Sequence, residues 1–479
     1  MTANRKILVT GATAYIGGRL VPRLLAKEYD VRVMVRVFSS EYQDRWPNAE
    51  IVGADALDYE ALVKALEGIH TAFYLIQSML VRQKEDEPTY LQAAINFRTA
   101  AEAQGVRRII FLGRLGEAQD DPTADAHPGT NVPRELSHGK VPTTVLRTAF
   151  VIGAGSATYE LIQHLVKNLP VIPIPRWARN QCQPISVHDV IEYLVGVLEN
   201  DATAGRAFEI GGSEVLTCEE MLKTQARLFG RKRYFPACPI SSTRALAYLA
   251  SLATPLTAPI IRTLMRWAKA GAVCKNNDVR SFVPFQPNSF EGALLKAMSR
   301  EEQNDVHTRW SDSYPLASEL ALKLDELQER PRYVCSYSLL SQKDRSALFR
   351  SLCRIGGKEG WFNSNWMWRL RGAFDRLLLG VGTARGRRSE SELRLHDVID
   401  FWRVEKLETD CHLRLRAEMK VPGKAWLEFV LSGEKDGNRL TITAYFQPHG
   451  LAGTIYWYAF LPSHPFIFND IIRQIDQRS

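Results

Sequence analysis

The stretch Ile7-Leu8-Val9-Thr10-Gly11-Ala12-Thr13-Ala14-Tyr15-Ile16-Gly17-Gly18 constrains this chain more than any other. A short apolar run opens into a turn of small residues, and an amphipathic segment follows at once. Gly11 suits a tight turn with positive φ, and Gly17 suits close packing of a first helix on a sheet. A strand, a small-residue loop and a helix start, in that order, form a cradle of backbone N–H groups able to hold a pyrophosphate. Ala14 stands at the middle position, where the backbone comes closest to the phosphate, and its methyl is the smallest intrusion a side chain makes there.

The residues that follow repeat the pattern. Runs at 6–10, 31–35, 50–52, 71–76, 108–112 and 144–146 are rich in Ile, Val and Leu and read as strands. Helical patterns at 16–26, 59–66 and 89–104 lie between them. Apolar strands separated by helices imply a parallel sheet covered on both faces with right-handed crossovers, an α/β Rossmann-like doubly wound fold. A chain of 479 residues is too long for one core, so two or three domains are expected. Between 151 and 299 the pattern loosens around Gly153-Ala154-Gly155-Ser156 and a proline-rich 169–176, with helical pieces at 190–198 and 218–228. This segment is expected to complete a first domain, 1–299, and to cap its ligand crevice. Polar 300–309 and charged 319–330 read as a connection over 300–331.

From 332 the grammar changes. Leu413, Leu415, Ala417 and Met419 alternate with Arg414, Arg416, Glu418 and Lys420, and Leu440, Ile442, Ala444 and Phe446 repeat the period of two. Lys435-Asp436-Gly437-Asn438 is a hairpin turn, and 451–460 and 465–475 read as helices. A second domain, 332–479, is therefore expected to be α+β, a curved antiparallel sheet wrapped around a C-terminal helix with an apolar cavity between them.

Composition narrows the classes of function. Hydrophobic residues at 45% and charged residues at 24% describe an ordinary globular protein. A net charge of +8 over this length fits a soluble enzyme as readily as an anion-binding surface and argues only weakly for nucleic acid, which is not expected as a partner. The 7 cysteines are scattered without a C-x-x-C pair, and the polar start Met1-Thr2-Ala3-Asn4-Arg5 has no signal-peptide pattern, so a reducing cytoplasmic setting is expected. The apolar region 245–264 is broken by Pro255 and Pro259 and flanked by Arg244 and Arg262. It reads as helices packed on protein rather than a transmembrane segment, with contact at a membrane surface the lesser reading. Arg369, Arg371, Arg376, Arg385, Arg387 and Arg388 face only Asp375 among acids between 369 and 388, and read as a solvated face rather than an anion-binding patch. The aromatic group Trp361, Phe362, Trp366 and Trp368 reads as core before pocket lining.

The end of the second strand bears on the choice of dinucleotide. Val35-Arg36 stands where an NAD site carries an acid, and no acid follows until Glu41. An arginine there neutralises a 2′-phosphate, which favours NADP over NAD, although Arg36 also reads as a plain solvated cation. Asp55 is placed either to accept from an adenine amino group or to make a turn or helix cap beside Asp58.

Residues 4 to about 295 resemble the NmrA-like atypical short-chain dehydrogenase/reductases, which bind NAD(P)H. The resemblance rests on Thr10-Gly11-Ala12-Thr13 with Tyr15-Ile16-Gly17, Ala54-Asp55, Phe73-Tyr74-Leu75-Ile76-Gln77-Ser78-Met79 and Gly105-Val106-Arg107-Arg108-Ile109-Ile110-Phe111-Leu112-Gly113. It continues through Leu146-Arg147-Thr148-Ala149 and the epimerase-like Cys182-Gln183-Pro184-Ile185-Ser186-Val187-His188-Asp189-Val190. It implies a cofactor lined by Gly11, Thr13, Tyr15, Ile16, Arg36, Asp55 and Ile76, with Ala14 in the same loop, and a structural role for His188 and Asp189. Short-chain reductases carry a Tyr-x-x-x-Lys pair for proton transfer. Between 109 and 166 this chain has only Tyr159, followed four residues later by Gln163, so no catalytic residue is assigned. His127, Arg134, Glu135, His138 and Lys140 occupy the region where the pair falls and read as solvated loop residues. No G-x-S-x-G, H-E-x-x-H or G-x-x-x-x-G-K-[ST] motif occurs, and no spaced His/Cys cluster suggests a metal.

From about 332 onward the chain is similar to an uncharacterised domain that follows such a Rossmann half in bacterial proteins. Trp366-Met367-Trp368-Arg369-Leu370-Arg371-Gly372, Asp400-Phe401-Trp402-Arg403-Val404 and Ala425-Trp426-Leu427-Glu428-Phe429 carry the match, and its pattern is similar to ligand-holding helix-grip folds. The expectation is an NADP(H)-binding reductase or epimerase-like protein acting on an apolar or aromatic small molecule. The competing expectation is a non-catalytic NADP(H)-dependent redox sensor or assembly factor.

Overall fold

The computed structural model describes residues 5–36, 38, 40–76, 87–115, 132–302, 309–310, 324–327, 329–357, 360–361, 365–377, 380–382, 387, 389 and 391–479. The chain divides into two compact units, Met1–Ala253 with Ala258–Ser313, and Thr254–Thr257 with Tyr314–Ser479.

In the first unit, strands β1 (Ile7–Val9), β2 (Val31–Val35), β3 (Glu50–Gly53), β4 (Thr71–Tyr74), β5 (Arg108–Arg114), β6 (Thr143–Thr148) and β7 (Ala207–Ile210) form one sheet. Their order is β7-β6-β5-β4-β1-β2-β3, and every neighbouring pair is parallel. Parallel strands need crossovers, and helices α1 (Gly17–Ala26), α2 (Tyr59–Leu66), α3 (Glu87–Ala103) and α5 (Val187–Glu199) are among the helices that connect and cover them, with α4 (Ala157–Asn168) before α5. Alternate side chains of β1 serve opposite cores: Ile7 and Val9 pack with Leu20, Val21 and Leu24 of α1 and Val190 and Leu194 of α5. Leu8 packs on the other face with Leu62 and Leu66 of α2 and Phe97 of α3. The strand order reverses between β1 and β4, and that switch point leaves a crevice at the carboxyl ends of the strands. The sequence pattern did not single out β7, four residues ending at Gly211-Gly212 that pair with β6 at the sheet edge. The remaining helices of this unit include α6 (Cys218–Leu228), α7 (Thr243–Ala253) and α8 (Ala258–Ala270). No helix among the described residues is long and apolar enough to cross a membrane.

In the second unit, β8 (Tyr333–Ser341), β9 (Val398–Ile399), β10 (Trp402–Glu408), β11 (His412–Ala417), β12 (Gly423–Glu434) and β13 (Gly437–Pro448) make an antiparallel sheet in the order β8-β13-β12-β11-β10-β9. The hairpin expected at 435–438 is present, with Glu434 paired to Gly437 and Lys435 and Asp436 as its two loop residues. Helices α9 (Arg345–Leu352), α10 (Asn365–Leu377), α11 (Gly450–Phe460) and α12 (His464–Arg478) complete the unit. The period of two sorts the strands into an apolar face of Leu413, Leu427, Phe429 and Ile442 and a polar face that includes Arg414, Glu428 and Tyr445.

Two surface readings need correction. Trp366 is 65% exposed rather than core, because it projects from the open side of α10, while Trp361 and Trp368 are buried; Phe362 lies outside the described residues. The arginine run is not a uniform solvated face. Arg387 donates to the carbonyls of Cys353 and Ile355, and Arg371 donates to Lys420 O at 2.8 Å, so these guanidiniums satisfy backbone acceptors. Arg369 is exposed, and Arg385 and Arg388 lie outside the described residues.

Candidate functional site

The opening loop is pinned at the switch point. Thr10, fully buried, donates from Oγ1 to Phe73 O at 3.1 Å and accepts from Leu75 N at 3.0 Å, tying the end of β1 to the end of β4. Gly11 follows at φ +61°, and a Cβ there falls 2.6 Å from Leu75 O; a Cβ on Gly17 falls 2.3 Å from Gly11 O. Both glycines are thus demanded by the path of the chain. Helix α1 then begins with no side-chain cap and no acidic residue in its first turn, so the positive end of its dipole meets no anion of its own. Arg19 braces the loop from behind, donating to Tyr15 O at 3.1 Å and Ala154 O at 2.8 Å with its guanidinium 4.1 Å over the Tyr15 ring.

A cleft of about 170 Å³ opens beside this loop. Ala14, Tyr15, Ile16 and Gly17 line one side, and Leu75, Leu112, Gly113, Arg114 and Thr148 line it from the ends of β4, β5 and β6. Phe150, Trp267 and Trp310 supply aromatic walls, with Arg114 4.1 Å over the Trp267 ring and Phe150 at 6.5 Å from it. Thr148 is only 5% exposed, and its Oγ1 has no hydrogen-bond partner. A buried hydroxyl without a partner costs about 1–3 kcal/mol, a cost that a ligand oxygen or nitrogen would relieve. Arg114, Ser156 and Thr158 are further polar side chains of a mostly apolar lining, and among its described residues there is no histidine, lysine, aspartate or glutamate.

Arg36 and Asp55 follow the paired ends of β2 and β3, where Val35 is opposite Gly53. Their side chains stand 3.7 Å apart, 66% and 44% exposed. Asp55 also accepts from Leu57 N at 2.9 Å, so it makes the turn that was one of its two readings, and Asp58 caps α2 by accepting from Ala61 N. Ile76, beyond β4, packs against the core on the α2 and α3 side. Thr13 is half-buried in the loop.

The other candidates lie apart from the cleft or serve the framework. Tyr159 is fully buried, and Gln163 donates to Glu160 at 3.1 Å inside α4. Asp189 accepts from the backbone and side chain of Asn288, and burial raises its carboxyl above the usual range. Glu135 pairs with Arg98, whereas Arg134, His138 and Lys140 are exposed, and His127 lies outside the described residues. No group of His, Cys, Asp and Glu suited to a metal occurs among the described residues. Sequence reasoning missed Arg114, Thr148, Phe150, Trp267 and Trp310 as parts of one site. Arg114 and Thr148 carried a signal, since each closes a strand on the crevice side. Trp267 and Trp310 carried none.

A doubly wound parallel sheet, a glycine turn at its switch point and a crevice above it define a dinucleotide-type Rossmann protein. Comparison with known proteins narrows this. Residues 11–139 match a family described as NAD(P)H-binding, and residues 327–471 match one described as a protein of unknown function (DUF2867). The chain is 35% identical over 256 residues to the 3-diazoavenalumate denitrifying reductase of a Streptomyces species, covering 47% of this chain and 82% of that protein. It is 26% identical over 281 residues to the (4-alkanoyl-5-oxo-2,5-dihydrofuran-3-yl)methyl phosphate reductase of Streptomyces griseus, covering 56% and 90%. It is 24% identical over 242 residues to the photosystem II assembly factor Ycf39 of Trieres chinensis, covering 49% and 72%. A nucleoside-diphosphate-sugar epimerase of Staphylococcus aureus shares the fold, with a TM-score of 0.50 at 18% identity over 60% of this chain and 99% of that one. The chain belongs to the NAD(P)H-binding, reductase-like family that these matches define.

Proposed function

We propose that the first unit binds NADPH in preference to NADH and reduces a small apolar or aromatic substrate in the cleft beside β1 and β4. The observation that carries this reading is the cleft itself, walled by Phe150, Trp267 and Trp310, open to the uncapped start of α1, and holding the unpartnered Thr148 hydroxyl. The residues present fit the cofactor. Gly11, Thr13, Ala14, Tyr15 and Ile16 would hold the pyrophosphate, Arg36 would meet the 2′-phosphate, and Asp55 and Ile76 would serve the adenosine end. An exposed ion pair such as Arg36–Asp55 is worth about 1 kcal/mol at most, so a 2′-phosphate takes over Arg36 at little cost. When bound, NADPH supplies a hydride. Arg114 opposes the negative charge that builds on a substrate oxygen, and Thr148 Oγ1 donates a hydrogen bond to that oxygen.

A second reading, a non-catalytic NADP(H)-dependent sensor or assembly factor, is favoured by the lack of a carboxylate, histidine or lysine among the described lining residues and by the likeness to an assembly factor. The second unit is read as a helix-grip-like domain, supported by its six-stranded antiparallel sheet and C-terminal helix. A cytoplasmic site of action is supported by seven cysteines that are all free thiols.

Calorimetry with NADPH and NADH, followed by NADPH oxidation with a panel of quinones and aromatic aldehydes, tests the proposal. NADPH is expected to bind with Kd below about 100 μM, near 5.5 kcal/mol. Arg36→Leu should weaken NADPH at least about tenfold, or 1.4 kcal/mol, and leave NADH unchanged. At least one acceptor should accelerate oxidation, and Arg114→Leu should slow it without altering the NADPH Kd. Binding with no productive acceptor selects the second reading, and no NADPH binding rejects both.

A further inference from the structure

The second unit contains a cavity of its own, about 130 Å³, between the apolar face of its sheet and its helices. Trp402 and Phe446 line it from the sheet, Met367 and Trp368 from α10, Trp457 from α11 and Phe468 from α12. An engineered apolar cavity of comparable size takes up benzene, so the space suits one aromatic ring system.

Trp457 aside, four indoles in or beside this cavity separate into two pairs. Trp361 donates from Nε1 to Asp400 at 2.7 Å, and Trp426 donates to Glu405 at 3.0 Å. Trp368 and Trp402 are equally buried, at 8% and 3% exposure, yet neither Nε1 has a hydrogen-bond partner. Both unpartnered indoles belong to the cavity lining, and their rings lie 6.1 Å apart. An indole N–H only donates, and left dry it costs about 1–3 kcal/mol. An occupant that repairs this must bring an acceptor oxygen into an otherwise aromatic space.

The charge of the lining indicates which oxygen. Arg371 lines the cavity, with its Nε 3.3 Å from Tyr456 OH, and no aspartate or glutamate does so among the described lining residues. His464, which also lines it, is held neutral at pH 7, since burial pushes its pKa down to about 4. Arg371 is therefore the one formal charge among those lining residues, and it is positive.

We infer that this cavity is a second ligand site, for a small aromatic carboxylic acid whose carboxylate accepts from the Trp368 and Trp402 indoles and faces Arg371. The site lies wholly within the second unit and does not depend on the reading of the first.

The test is a titration of the full chain, labelled with ¹⁵N, with 2-naphthoate and with its neutral isostere 2-methylnaphthalene. Naphthoate should bind at least tenfold more tightly, and the indole N–H resonances of Trp368 and Trp402, assigned from Trp→Phe variants, should move downfield while that of Trp361 stays. Arg371→Gln and Trp368→Phe should each weaken naphthoate at least tenfold, change methylnaphthalene binding less than threefold, and leave the NADPH Kd unaltered. Equal binding of the two compounds, or indole resonances that do not respond to naphthoate, overturns the inference. So does naphthoate binding lost with Arg114→Leu and retained in Arg371→Gln, which would place it in the first unit.

Discussion

Gly11 is the residue on which the candidate site turns, and its requirement is steric on two counts. Its φ of +61° is a conformation that costs a residue with a Cβ about 1–2 kcal/mol, and the new methyl also meets Leu75 O at 2.6 Å. Gly105 has nearly the same backbone, at φ +67°, but nothing within 4 Å of a built Cβ. Gly11→Ala should therefore lower the melting temperature by clearly more than Gly105→Ala and abolish NADPH binding, as calorimetry and thermal unfolding will show; equal losses in the two variants would mean that the contact with Leu75 is readily relieved. Such positions are legible in a sequence because the reason for them is local: Gly11 and Gly17 lie in one short loop. Arg114, Thr148, Trp267 and Trp310 come from four separate segments, and only the packed sheet, helix α8 and the hydrogen bond from Trp310 N to Gly155 O bring them to one cleft. The Tyr-x-x-x-Lys pattern is equally local, so that Tyr159 is followed by Gln163 could be read directly from the sequence; Tyr159 itself is buried in α4 and is not among the described lining residues.

At the scale of elements, the central parallel strands were readable from apolar runs because β1, β2, β4, β5 and β6 are buried on both faces, whereas β8 to β10 show how that signal weakens. In β8 half-buried and exposed residues alternate along Tyr333–Ser341 without a strong polar contrast, and β9 has two residues. In β11 the alternation is sharp, but it hides an inversion: the side of the sheet that carries Arg414 is buried too, in a network centred on Glu428. That carboxylate accepts from His412 Nε2 at 2.7 Å, Arg414 Nε at 2.9 Å and Tyr445 OH at 2.7 Å. Burial alone would raise its pKa, but hydrogen bonds from His412, Tyr445 and Arg414, with the guanidinium charge, outweigh it and hold the group down at about 2. A carboxyl lowered on folding contributes stability above its unfolded pKa and loses it as pH falls toward the folded value. The second unit should accordingly lose stability between about pH 4.5 and about pH 2. Glu428→Gln should be less stable than the parent at pH 7, with the gap narrowing steadily below about pH 4.5. A gap in melting temperature that stays constant down to pH 3 would show that the carboxylate charge contributes nothing to this network.

Across the whole molecule, each unit has its own sheet, its own buried residues and its own cavity, and the two cavities differ in their lining. The cleft of the first unit sits beside an uncapped helix start at a strand-order reversal, an arrangement recognisable from strand and loop patterns. The cavity of the second unit rests on two unpaired indole groups, which no periodicity announces. This difference has a thermodynamic consequence that can be read unit by unit. A ligand that binds only the folded form stabilises it by RT ln(1 + [L]/Kd), about 2.7 kcal/mol at a hundredfold excess over Kd. With NADPH at that excess, amides of β1, β4, β5 and β6 that exchange only by unfolding of the first unit should slow about a hundredfold in hydrogen-exchange mass spectrometry. Amides of β10 to β13 should keep their rates, because a cofactor held by Gly11, Arg36 and their neighbours contributes nothing to the opening of the antiparallel sheet. Equal protection of both sheets would mean that the two units open as one cooperative body, and protection confined to β10–β13 would place the dinucleotide in the wrong unit altogether.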